Sequence, residues 1–102
     1  PHAFFLAHHP VLGFAANPRD PQHPYPGNAG LQSVLASMYP GTLFPPNVAA
    51  VIAGHNHLLE VVDFASPHPA QIVAGNGGTR LDAPLPAASQ KNNRSKPTGV
   101  EP

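Results

Sequence analysis

The chain has 102 residues, no cysteine and a formal net charge of zero, with 10% of its residues charged. That composition excludes disulfides and thiolate metal sites, argues against a surface for nucleic acid or anionic lipid, and leaves His, Asp, Glu and Asn to hold any metal. Fifteen prolines and nine glycines predict a loop-rich domain, but the apolar residues fall in short runs that argue against wholesale disorder.

In chain order, the first run is "AFFLAHHP". It reads as a buried strand that ends at His8 and His9, because Pro10 disfavours helix in the residue before it. The Pro-rich stretch that follows, from Asn17 to Asn28, is expected to form a surface loop without regular ladders. "NAGLQSVLASMYPG" carries Leu31, Val34, Leu35 and Met38 at helical spacing, with Asn28 as cap and Pro40 and Gly41 as the stop. Its Leu and Met stripe is expected to pack in the core. "NVAAVIAG" is a continuous apolar run from Val48 to Ala53 that suits a strand buried on both faces. "LLEVVDF" continues extended, with Glu60 and Asp63 expected on a wet face, and "QIVAG" gives another strand that "GNGG" breaks. The order strand, helix, strand, strand, strand is α/β. Residues 1–88 are expected to form the domain, and residues 89–102 a polar tail, exposed or disordered. No apolar run reaches the roughly 18 residues of a membrane span.

The seven histidines are informative by position. Strands of α/β sheets deliver functional residues at their carboxyl ends. His8 and His9 end the first strand; His55 and His57 end the strand after the helix. If those strands run parallel, the four histidines meet at one edge of the sheet, where neutral imidazoles suit Zn, Mn, Fe or Ni. His55 and His57, two residues apart, can share one ion or reach two adjacent ions. Gly54 is expected to provide the backbone freedom that turns them inward. The plainer reading of a lone His-X-His is a turn with exposed imidazoles, and His2, His23 and His68, beside prolines or the chain start, read as solvated loop residues. The Pro-rich loop leaves the same edge, so His23 and Tyr25 are candidate substrate contacts on position alone.

"FFLAHHP" followed further along by "VIAGHNH" resembles the last two motifs of the calcineurin-like metallophosphoesterases, which include purple acid phosphatases and cyclic-nucleotide phosphodiesterases. "QIVAGNGGTRLD" is similar to the strand and glycine turn that often follow in bacterial members. The resemblance spans Phe4 to Asp82. It implies that His8 and His55 ligate one metal, that His57 ligates a second, and that His9 faces the phosphate as a catalytic neighbour. It further implies a two-sheet α/β sandwich and a pair of divalent or trivalent ions that drive a hydroxide in line at phosphorus. The family's earlier carboxylate motifs do not appear, so the chain looks like the carboxyl-terminal half of such a domain. It would be inactive alone, would bind at most one ion, and would have the missing amino-terminal half as its partner and a phosphoester as substrate. Half a sandwich would also expose an apolar sheet face. The low charge and high proline content are compatible with a bacterial periplasmic or secreted hydrolase.

Other readings fail on residue content. The letters "HNH" at 55–57 lack the dispersed residues of the nuclease signature of that name. Leu59 and Glu60 break the metallo-β-lactamase pattern, and Leu59 stands where a histidine-triad hydrolase needs its third histidine. A reading of another class stays open, in which His8, His55 and His57 close a structural mononuclear site in a non-catalytic binding module.

Overall fold

The computed structural model describes residues 1–20 and 23–83, so the expected polar tail at residues 89–102 lies outside the described residues. The first apolar run forms β1 (Ala3–Ala7), and two short strands, β2 (Phe14–Ala15) and β3 (Tyr25–Pro26), flank the Pro-rich loop. The helix α1 (Ala29–Met38) leads to β4 (Val48–Ala53), and β5 (Leu59–Val62) and β6 (Ala70–Ala74) follow. Four strands form one mixed sheet in the order β1-β4-β6-β5. The inner pairs β1 with β4 and β4 with β6 are parallel, and β5 runs antiparallel to β6. The chain is thus a small α/β domain with one helix among the described residues.

Asn28 caps α1 as expected, its side chain accepting the Leu31 N–H at 3.0 Å. The helix does not bury its whole apolar stripe. Leu35 is buried and Leu31 packs beside the core, whereas Val34 and Met38 are more than half exposed. Loops take the space that those two residues were expected to fill. Val11 and Leu12, just after His-His-Pro, and Leu43 and Phe44, after the helix, join Leu35 and Val51 in the core. Phe5 meets Phe44 edge to face, with ring centroids 5.3 Å apart, a favourable aromatic arrangement. Gln32 anchors the loop after β1 by donating its side-chain amide to the Val11 carbonyl at 2.8 Å.

Among the described residues the sheet is covered on one face only, which corrects the reading of β4 as buried on both. Phe5, Val51, Val73 and Val62 turn toward the helix and loops. The register puts Phe4, Ala50 and Ala70 in one row of the opposite face, Leu6, Ile52, Ile72 and Val61 in the next, and Leu59 with Ala74 in the last. Every residue of that face is apolar. Phe4, Leu6, Leu59 and Val61 are each about two-thirds exposed on it.

Three local expectations are also corrected. The Pro-rich loop does enter a ladder: Phe14 pairs with Pro26 and Ala15 with Tyr25, because a two-residue ribbon at the margin tolerates a proline that still offers its carbonyl. On β5 the apolar residues Leu59 and Val61 face out, and Glu60 turns in on the side of Val62. There its carboxylate accepts the Phe14 N–H at 3.0 Å, and burial pushes its pKa up, opposed by that hydrogen bond. His68 is buried, not solvated. Its Nδ1 lies 2.7 Å from Ser66 Oγ, and the Gly41 backbone also hydrogen-bonds it. His2, His23 and Asp63 are exposed.

Candidate metal centre

Parallel pairing places Ala7 opposite Ala53 at the ends of β1 and β4, so both histidine segments leave the same edge of the sheet. A backbone hydrogen bond from Gly54 N–H to the His8 carbonyl at 3.1 Å ties the two exits together. The turn itself is made by His55, whose φ of 64° lies in the left-handed region, an uncommon conformation for a residue with a side chain. Gly54 does not supply that turn, and a Cβ there would meet only ordinary contact. The glycine that the loop requires is Gly75, at the end of β6. A Cβ on Gly75 would fall 2.0 Å from the Asn56 carbonyl oxygen, so the backbone of the "GNGG" turn presses directly on the histidine loop.

These constraints bring His8, His9 and His55 together. One ligand nitrogen from each lies within 4.8 Å of the others. His8 Nε2 and His55 Nδ1 are 3.3 Å apart, and the His9 and His55 rings are tilted with centroids 3.9 Å apart. Two imidazole nitrogens bound to one tetrahedral zinc at about 2.0–2.1 Å stand about 3.3–3.4 Å from each other. The His8 to His55 separation fits that edge. All three side chains are exposed. The pKa of His55 is lowered, first by partial desolvation and then by its neighbours His9, His8 and His57, against the opposing pull of Asp82. The fold therefore favours the neutral, ligand-competent imidazole at His55.

His57 is placed differently. Its N–H donates to Asp82 Oδ2 at 2.8 Å and its Nδ1 donates to the Arg80 carbonyl at 3.0 Å, which leaves Nε2 as its ligand atom. It stands outside the three-imidazole group. No carboxylate belongs to that group among the described residues, and an all-nitrogen set suits a borderline transition ion better than magnesium or calcium.

A cavity of about 310 Å³ opens beside the cluster, with His9, His55, Tyr25 and Asn56 among its lining residues. Tyr25 thus shares a cavity with two of the histidines. His23 does not line it; it is exposed and pairs with Asp20 Oδ2 at 2.7 Å through Nδ1. Asn56, Gly75 and Glu60 position the site, although Asn56 and Gly75 were not singled out by their sequence context and Glu60 was expected on a wet face. Only Gly75 left a trace, as a glycine directly after a strand. Compared with protein-family models, curated proteins and solved structures, the chain matches none.

Proposed function

We infer that this chain supplies the histidine side of a metal-dependent phosphoester hydrolase. The observation that carries this reading is the convergence of His8, His9 and His55 from two parallel strand ends, with a donor spacing that fits one tetrahedral ion. Hydrolysis of a phosphoester joins a water oxygen to phosphorus, breaks the ester P–O bond and returns a proton to the departing alcohol. A bound ion supplies charge stabilisation at the phosphoryl oxygens and a lowered pKa for water. His8 and His55 hold the ion. His9, at the cavity wall, completes the set or faces the phosphoryl group. His57 Nε2, oriented by the Arg80 carbonyl, would be the ligand available to a second ion, and the described residues bring no carboxylate into the three-imidazole group.

The apolar sheet face that the described residues leave uncovered supports completion by another layer, because a contiguous apolar surface of this kind marks an interaction site. In this reading the layer is the amino-terminal half of the same domain, and the 102 residues alone bind one ion and do not turn over. The decisive assay uses the protein purified from its natural source, with added Zn²⁺ or Mn²⁺ and an aryl phosphate. Chelator-sensitive hydrolysis that is lost on His55→Asn supports the reading. A natural protein that binds the metal and hydrolyses no phosphoester overturns it.

A second reading, a mononuclear non-catalytic module, is favoured by one observation. His9 joins the group as a third imidazole while His57 stands outside it. A single tightly held ion in a catalytically silent natural protein would select it.

A further inference from the structure

The cavity beside the histidines is defined as much by what its wall lacks as by what it offers. At about 310 Å³ it lies at the small end of ligand sites, roughly 300–1,000 Å³, enough for one ring and the group attached to it. Pro10, Ala15 and Tyr25 give it an apolar side, and Asn56 gives it an amide. No Lys, Arg, Asp or Glu is among the described residues that line it. Apart from the imidazoles, the described wall has no cation to hold a further phosphate and no carboxylate to hold an ammonium group.

Tyr25 is the aromatic residue of this wall besides the imidazoles, and its backbone is fixed from the histidine side. Tyr25 pairs with Ala15 across the short ribbon. The preceding residue, Phe14, is gripped at both ends: its N–H donates to the Glu60 carboxylate at 3.0 Å, and its carbonyl accepts from the Asn56 amide at 3.4 Å. Asn56 is the residue between His55 and His57. The loop that presents the imidazoles therefore also sets the position of the aromatic wall.

We propose that this cavity takes the uncharged aromatic ring of a phosphomonoester whose phosphoryl oxygens reach the ion held by His8, His9 and His55, with Tyr25 providing the ring contact. The proposal rests on the metal reading above and names the substrate class of the same site. It favours aryl monoesters over aliphatic monoesters of similar charge.

The test is equilibrium binding to the zinc-loaded 102-residue chain, with zinc occupancy measured first and independently. Phenyl phosphate, glycerol 2-phosphate and inorganic phosphate are then titrated in parallel. Phenyl phosphate is expected to bind about tenfold more tightly than the other two, the scale of a ring contact. Tyr25→Ala should reduce that preference to within about twofold, Tyr25→Phe should keep it, and neither should alter zinc affinity. Zinc bound with equal affinity for all three ligands, or a preference that survives Tyr25→Ala, overturns the cavity proposal and leaves the metal reading standing. Failure of zinc to bind overturns both.

Discussion

The histidines at the two ends of the sheet show how one residue type serves two purposes. At the amino-terminal end of β6, His68 is buried, with Nδ1 against Ser66 Oγ and a further hydrogen bond to the Gly41 backbone. Its hydrogen-bonding capacity is spent on joining the loop between β5 and β6 to the loop after α1. At the carboxyl end, His8, His9 and His55 are exposed, and the side-chain hydrogen-bond geometry found in that group is the His8 to His55 contact itself. Imidazoles crowded together with lone pairs unspent are arranged for a ligand from solution; an imidazole with its partners inside the fold is a strut. Exposure alone does not make the distinction, since His23 is exposed and paired with Asp20.

Substitutions can break this contrast at either end. The largest effect is expected at the cluster. His8→Ala and His55→Asn should each lower zinc affinity by on the order of a hundredfold, since each removes one nitrogen of the proposed three-imidazole site. Asn tolerates the left-handed backbone at position 55. Because the replaced side chains are exposed, chemical denaturation should show changes within about 0.5 kcal/mol. Calorimetric titration that finds zinc affinity unchanged in both variants would remove these two residues from the site.

Gly75→Ala comes next and couples fold to site. Its Cβ would collide with the Asn56 carbonyl, and backbone has nowhere cheap to go. A loss of about 3 kcal/mol in unfolding free energy is expected, together with weaker zinc binding as the histidine loop is displaced. Unchanged stability and affinity would show that the turn does not press on the loop.

At the other end, His68→Leu should cost about 1–3 kcal/mol by leaving hydrogen-bond partners unsatisfied, without altering zinc affinity. The variant also tests a pH dependence. Burial lowers the pKa of His68 below its ordinary 6.5, opposed by the Gly41 hydrogen bond. The unfolded chain therefore takes up a proton here at a higher pH than the folded chain does. The contribution of neutral His68 is fully present above about 6.5 and is lost as pH falls through that value toward the depressed folded pKa. Denaturation between pH 7.5 and 5 should show the wild type losing more stability than His68→Leu; parallel curves would contradict the assignment.

Glu60→Gln is the smallest change. Burial raises the folded pKa of Glu60 above its ordinary 4.5, so folding is penalised as pH rises through the raised value and ionisation is forced. Gln can still accept the Phe14 N–H and cannot ionise. Stability at pH 7 should rise by a few tenths of a kcal/mol, a size already discounted for solvent screening of a half-exposed group, and the gain should vanish near pH 4. A loss at pH 7 would mean that the charge itself holds Phe14.

Much of the site's position was legible because the signals were local. The apolar runs of β1, β4 and β6 end in His, Gly or Ala before clear breaks, Asn28 announces the helix start, and parallel strands around a helix bring their carboxyl ends together. The features that were misread depend on distant partners. Whether Val34 and Met38 are buried depends on Val11, Leu12, Leu43 and Phe44 arriving from two loops to occupy the core. Which side of β5 is wet depends on its register against β6, and that register turns Glu60 inward. His68 looks like a loop residue until the loop after α1 closes over it. The replacement of Gly54 by His55 as the turning residue, and the role of Gly75, follow from a backbone contact between segments that a linear reading does not bring together. The open apolar face is the expectation drawn from the half-domain resemblance, and the described sheet has such a face.

The most direct measurement is the ring-nitrogen NMR spectrum of all seven histidines during a zinc titration at pH 7. The account predicts that the ligand nitrogens of His8, His9 and His55 shift together and saturate at one equivalent, while His2, His23 and His68 stay where they were. Zinc-dependent shifts that spare His8 and His55, or that fall first on His68 as the fold opens, would contradict it.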